Sequence, residues 1–184
     1  MAAASTTLRL GTGIMILPQR HPAYVAKEWA TLDRLSGGRA MLGIGIGWMA
    51  EEMEALGIPF SERAPRTDEC IRAIRSLWGS DYSTFDGRFY RWADMRSYPK
   101  PVQQPGVPII VGGHAPAAAK RAARLGDGYF LPGQLSKRIS SDERIFKIAS
   151  EIRRIPGLAW EVIAIHPERY NELYTKFGNL NRLL

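Results

Sequence analysis

Three apolar runs that carry glycines within them or at their ends constrain this chain more than any other feature. They are Leu8–Leu17 (LRLGTGIMIL), Arg39–Gly47 (RAMLGIGIG) and Val107–Val111, which continues into Gly112-Gly113-His114. Continuous apolar runs of this length read as strands buried on both faces, the habit of parallel sheets, because a sheet with one wet face alternates instead. Helical patterns separate them. Tyr24, Val25, Trp29, Leu32 and Leu35 recur at helical spacing within Ala23–Leu35, and Ser36-Gly37-Gly38 stops that helix. Trp48–Leu56 carries Glu51 and Glu52 in its first turn, where negative charge suits the helix dipole, and Gly57 and Pro59 end it. Residues 67–78 form the clearest amphipathic helix, with Cys70, Ile71, Ile74, Leu77 and Trp78 on one face. Pro116 opens a further helix through Leu125, Gly126 closes it, and Tyr129–Leu131 is a short fourth strand. This alternation predicts an α/β fold with a parallel sheet.

Residues 80–106 break the pattern. Phe85-Asp86-Gly87-Arg88-Phe89 carries an Asp-Gly hairpin signal, and Pro99, Pro101 and Pro105 keep the following segment extended. This segment reads as an insertion or a lid over a site. After Gln134 the signal weakens. Ile145, Ile148, Ala149 and Ile152 predict one more helix, Trp160–Ile165 a strand and Glu168–Phe177 a terminal helix. No repeat or low-complexity linker divides residues 1–184, so one domain is expected.

Composition excludes several classes. Hydrophobic residues make up 45% and charged residues 23%, which excludes disorder as the dominant state. The formal charge is +7, but the cations are interspersed with acids, as in Arg66, Asp68, Glu69 and Arg72. With no zinc-finger spacing, RNA-binding aromatic signature or basic helix, a solvated basic surface is expected and not a nucleic-acid interface. The single cysteine, Cys70, excludes a disulfide framework and a cysteine-based zinc site, and its apolar neighbours predict a buried packing thiol. Three dispersed histidines assemble neither a metal site nor a Ser-His-Asp arrangement. No apolar run approaches the roughly 18 residues that span a bilayer. Met1-Ala2-Ala3-Ala4-Ser5 lacks the basic and apolar regions of a signal peptide, so a cytoplasmic setting is expected.

Three motifs stand where a parallel sheet places chemistry. Gly43-Ile44-Gly45-Ile46-Gly47-Trp48 lies at a strand-to-helix junction. Its glycines either let a flat ring or a phosphate approach the backbone or serve tight strand–helix packing. The spacing is not the G-x-G-x-x-G of a dinucleotide turn. Val111-Gly112-Gly113-His114-Ala115-Pro116 ends a strand and opens a helix, which makes either an anion site on that helix N-terminus or an ordinary turn. His114 taken alone reads as a surface or capping residue. Gly11-Thr12-Gly13-Ile14-Met15 places glycines in mid-strand, which signals a bulge or a ligand against the backbone. His21, just before Pro22, reads as the cap of the next helix.

These motifs occur in a recognisable order. Leu8-Arg-Leu-Gly-Thr-Gly13, Arg20-His21-Pro22, Leu32-Asp-Arg-Leu-Ser-Gly-Gly-Arg39 and Leu42-Gly-Ile-Gly-Ile-Gly-Trp48 come first. Ala55-Leu-Gly-Ile-Pro59, Glu62-Arg63, Arg66-Thr-Asp-Glu69 and Phe85-Asp-Gly-Arg-Phe-Tyr90 follow. Pro99-Lys-Pro-Val-Gln103, Pro108-Ile-Ile-Val-Gly-Gly113 and Ala122-Ala-Arg-Leu-Gly-Asp-Gly128 complete the series. Over residues 4–133 the chain resembles the bacterial-luciferase-like flavin-dependent oxidoreductases, most of all the branch that uses the deazaflavin coenzyme F420. Residues 134–184 diverge from it.

The resemblance implies a TIM (β/α)8-type barrel, incomplete here because such barrels run to about 250 residues. It implies hydride transfer, or oxygen activation at a reduced flavin, on a small organic substrate, with F420 or alternatively FMN as coenzyme. Gly13–Ile14 matches a bond that is often a non-prolyl cis peptide beneath the coenzyme ring. Ile16, Gly45, Ile46, Gly47 and Trp48 match positions lining the coenzyme, and Gly112, Gly113 and His114 match the turn that receives its phosphate. Full members place two further barrel strands ahead of the point matched by Met1, and those strands carry much of the acid/base and substrate-contacting machinery. No catalytic acid or base is therefore assigned. The rival expectation is a catalytically silent barrel fragment that self-associates, and a homo-oligomer is expected in either case because open sheet edges pair or are covered.

Overall fold

A computed structural model describes residues 2–130. The helix expected around Ile145–Ile152, the strand at Trp160–Ile165 and the helix at Glu168–Phe177 lie outside the described residues. The elements are β1 (Leu10–Gly11), β2 (Met15–Ile16), α1 (Pro22–Ser36), β3 (Ala40–Gly45), α2 (Ala50–Ala55), α3 (Arg63–Gly79), β4 (Ser83–Asp86), β5 (Arg91–Met95), β6 (Ile109–Gly112), α4 (Pro116–Leu125) and β7 (Gly128–Phe130).

The main sheet is parallel throughout, in the order β1-β3-β6-β7, with β2 also pairing β3. Each new strand joins the same growing edge after a helical crossover. Crossovers of one hand then place α1, α3 and α4 on one face, which is the winding of a barrel and not of a doubly wound sheet. The packing agrees. Ala40, Leu42, Ile44, Ile109 and Val111 bury their side chains with Val25, Ala26 and Trp29 of α1 and with Ile71, Ile74 and Leu77 of α3. The opposite face carries Met41, Gly43, Gly45, Ile110 and Gly112 and becomes the inner face of an incomplete barrel.

The helix boundaries follow local chemistry. His21 is the N-cap of α1: its Nδ1 accepts the Ala23 N–H at 3.2 Å, and Pro22 occupies the first turn, where a missing N–H costs nothing. Gly37 closes the helix at φ 67°, and the Gly38 N–H reaches Asp33 O at 2.8 Å. The helix expected over 67–78 begins four residues earlier, at Arg63, and the one expected at Trp48 begins at Ala50.

The run Leu8–Leu17 is not one continuous strand. Pairing stops after Gly11↔Met41 and resumes at Met15↔Ile44, so residues 12–14 stand against only Leu42 and Gly43. One extra residue opposite two is a β-bulge, which mid-strand glycines announce. The Gly13–Ile14 peptide within it is cis.

The insertion forms the antiparallel hairpin β4–β5, whose four-residue loop is longer than the two-residue turn that Asp-Gly signals. Two carboxylates fasten it. Glu69 of α3 accepts the N–H groups of Arg88, Phe89 and Tyr90 at 2.8–3.0 Å. Asp33 of α1 accepts those of Val102 and Gln103, with the Gln103 amide as a third donor at 2.7 Å. Lys100 donates to the carbonyls of Leu77 in the last turn of α3 and of Ser80 just past its end, and the desolvation this entails lowers its pKa. The hairpin tip meets the chain at Arg20 and His21: Tyr90 Oη donates to Arg20 O at 3.5 Å, and its ring packs edge-on to His21. Through these contacts the insertion braces α3 and the end of α1.

Candidate functional site

The C-terminal ends of parallel strands are where α/β barrels place ligands. In this chain those ends carry glycine on the inner face: Gly43, Gly45 and Gly47 along and beyond β3, and Gly112 and Gly113 at the end of β6. The bulge between β1 and β2 lies across them. A Cβ on Gly43 would strike the Thr12 carbonyl, one on Gly45 would strike Ile14 Cδ1, and one on Gly47 would stand 3.0 Å from Ile16 Cγ2. Residues 12, 14 and 16 are thus seated, one after another, on glycines 43, 45 and 47. The Thr12 hydroxyl locks the row by donating to Gly43 O at 2.7 Å. Gly47 has a second reason to be glycine, a φ of 79° that L side chains rarely adopt.

Ile14 reaches further. A Cβ on Gly112 would lie 2.9 Å from Ile14 Cγ2 and 3.2 Å from Ile44 O, so the Ile14 side chain fills a notch between β3 and β6. It is not sealed there: Ile14 is 37% exposed. Trp48, just beyond the glycine row, is 80% exposed and makes no ring contact among the described residues. Ile46 is half-buried past the end of β3. Ile14 at the strand ends and Trp48 just beyond them each leave apolar surface open to solvent.

The turn after β6 is built separately. Gly113 has a φ of 151°, and a Cβ there would lie 2.7 Å from Ala118 Cβ, so helix packing requires the glycine. Its N–H donates to Phe130 O at 3.4 Å, and its carbonyl accepts the Tyr129 hydroxyl. Burial pushes the Tyr129 phenol above its usual range, so it remains a donor. The N-cap of α4 is Ala115, which offers no side-chain hydrogen bond, Pro116 follows, and no acidic residue stands in the first turn. A helix start without a capping side chain or a carboxylate leaves its positive end open to an anion. His114 is exposed beside it and makes no hydrogen bond, ion pair or ring contact among the described residues.

The residues expected to line a site thus divide into two groups. Ile14, Gly45 and Gly112 meet, as do Ile16 and Gly47. Gly113 and His114 occupy the neighbouring turn. The structure also names residues the sequence did not single out. Thr12 pins the bulge, Phe130 Cδ1 lies 3.6 Å from the Gly112 Cβ position, and Tyr129 pins the turn. The alternation Thr12-x-Ile14-x-Ile16 against Gly43-x-Gly45-x-Gly47 was the available signal, legible only with the strand register in hand. Among the described residues no group of three metal-ligating side chains is gathered, and no helix is long and apolar enough to cross a membrane. Cys70 lies buried in the core, where desolvation pushes its thiol up to about 12.

Comparison with known proteins converges on one family. Residues 1–156 match the family model described as luciferase-like monooxygenase. An FMNH(2)-dependent dimethylsulfone monooxygenase from Pseudomonas putida is 38% identical over 136 residues, which is 72% of this chain and 37% of that protein. An F420-dependent glucose-6-phosphate dehydrogenase from Kineococcus radiotolerans is 41% identical over 133 residues, 70% of this chain and 39% of that protein. Among solved structures, the monooxygenase RslO1 from Streptomyces bottropensis superposes with a TM-score of 0.72 at 33% identity, covering 83% of this chain and 45% of that one. The chain spans half or less of the length of each of these proteins.

Proposed function

The chain belongs to the luciferase-like monooxygenase family, and from that premise we propose that it forms one wall of the coenzyme site of a flavin- or deazaflavin-dependent oxidoreductase acting on a small organic substrate. One observation carries the proposal: the shelf at the strand ends, where Ile14 rests on Gly45 and Gly112 and stays 37% exposed. F420 is the first coenzyme to test, on the likeness to the dehydrogenase, and reduced FMN the second, on the likeness to the sulfone monooxygenase.

The residues present fit such a group. A flat heterocycle needs an apolar, uncrowded surface, which Ile14 and Trp48 supply. A phosphate needs donors and positive potential without a competing carboxylate, which the start of α4 supplies. When bound, the coenzyme supplies hydride transfer or, as a reduced flavin, oxygen activation. The chain's own residues bind and orient. The bulge sets the height of the shelf, Thr12 holds the bulge on β3, and Tyr129 fixes the turn that leads into α4. The same reading extends to a self-associating protein in a cytoplasmic setting, and gel filtration of the purified chain tests the association.

The test separates charge from folding. Ala115→Asp puts a carboxylate at the exposed N-cap of α4, a position where aspartate favours the helix. Gly113 is unsuitable for this purpose because any Cβ there meets Ala118. The expected outcome in an absorbance titration is coenzyme binding weakened by roughly tenfold or more with an unchanged or higher melting temperature. Equal affinity in both proteins would remove the phosphate assignment.

A further inference from the structure

We infer that Gly45 and Gly112 are positioning residues that act through Ile14: together they form a socket for its side chain, and Ile14 seated in that socket sets the level of the shelf on which the coenzyme ring lies. The inference deepens the proposed function and rests on it.

The observations are steric. Two strands that are neighbours in the sheet each give up a side chain at the same place, and a single isoleucine occupies the space of both. Its Cδ1 lies 2.4 Å from where a Gly45 Cβ would be, and its Cγ2 lies 2.9 Å from where a Gly112 Cβ would be. Neither glycine has a positive φ, so backbone conformation does not demand either one. Their small size does. Gly45 is itself buried, with Ile14 between it and the open side. A ligand therefore meets Ile14 first, and the glycines govern binding by letting Ile14 sit low. Gly43 makes room for the Thr12 carbonyl and Gly47 for Ile16 Cγ2, so the whole bulge is lowered onto β3 as a row. Only Ile14 is wedged between two strands and also exposed.

The two glycines should respond differently. At Gly45 the obstacle is the far end of a flexible side chain, so Gly45→Ala folds, and Ile14 turns its δ-methyl outward into the ligand's space. At Gly112 the backbone carbonyl of Ile44 also lies 3.2 Å away, so an added methyl has less room to be accommodated. The exchange Ile14→Val removes only Cδ1, the atom that a Gly45 methyl would displace. It is therefore the compensating change.

The experiment is a double-mutant cycle on the full chain with Gly45→Ala, Ile14→Val and the pair, read by titration with F420 and with FMN and by thermal melting. The expected result is a roughly tenfold or greater loss of affinity for Gly45→Ala, with most of it regained when Ile14→Val is added. The melting temperature, lowered by Gly45→Ala in the native background, falls less when valine is at position 14. Affinity that stays low in the pair would overturn the inference, because the glycine would then be needed for direct approach of the ring. Additive losses of melting temperature would overturn the socket itself. If the unaltered chain binds neither coenzyme, the proposed function and the shelf role fail together, and the melting cycle still decides whether the glycines seat Ile14.

Discussion

The two faces of the parallel sheet are built on opposite principles. The outer face places Leu42, Ile44, Ile109 and Val111 against α1 and α3, and each is fully or almost fully buried. The inner face, one residue out of phase, has Gly43, Gly45 and Gly112 at the strand ends, and its bulk comes from a neighbouring segment laid across it. Side chains that project from their own strand make a dense and permanent core. Glycines that receive another segment's backbone and side chains make a surface whose height is set by that segment. The outer face holds the fold together, and the inner face leaves Ile14 partly exposed at the strand ends.

Substitutions matched between the faces test this contrast. Leu42→Ala on the outer face leaves a cavity in the helix–sheet core and is expected to cost about 2–5 kcal/mol of stability, measured by denaturant unfolding. A loss below about 1 kcal/mol would mean that the outer face is looser than its burial implies.

A second test asks whether that core stays dry. Burial raises the Cys70 thiol from its usual 9.0 to about 12, and it raises Tyr90 as well. Well below pH 9 the thiol is protonated in folded and unfolded chains alike, so its contribution to stability is constant there. Between pH 9 and about 12 only the unfolded chain loses the proton, so stability must fall as pH rises. Cys70→Ala should flatten this decline in a series of alkaline melts. The thiol should also react with a chromogenic disulfide only under unfolding conditions, and rapid reaction in the native chain would contradict the packing.

The smallest effect on stability is expected at Trp48. Its side chain is exposed, so Trp48→Ala should change stability by no more than about 0.5 kcal/mol. Coenzyme affinity should nevertheless fall. A variant that melts normally and binds normally would remove Trp48 from the site.

The outer face was legible because burial leaves a pattern along one strand. The runs LRLGTGIMIL, RAMLGIGIG and VPIIVGG announced parallel strands, and the stops at Gly37 and Gly126 and the cap at His21 were visible as local chemistry. The bulge could be anticipated from glycines placed in mid-strand. The reason for the glycines on β3 could not be chosen, because it lies in register. Thr12, Ile14 and Ile16 stand 31 residues before the positions that seat them, and no periodicity within either segment reveals the match. Asp33 and Glu69 were hidden for the same reason. Each sits within a helical pattern, yet its carboxylate serves backbone N–H groups 19–70 residues away. The insertion was visible as a break in pattern, and its role as a brace emerged only from those two anchors.

The central claim, that the inner face at the strand ends receives a flavin or deazaflavin coenzyme, is tested most directly by hydrogen–deuterium exchange with and without F420 or FMN. Slowed exchange confined to residues 12–16, 45–48 and 112–117, with the β4–β5 hairpin unchanged, is the predicted footprint. Protection on the hairpin instead, or none at the glycine-bearing strand ends while coenzyme is bound, would contradict it.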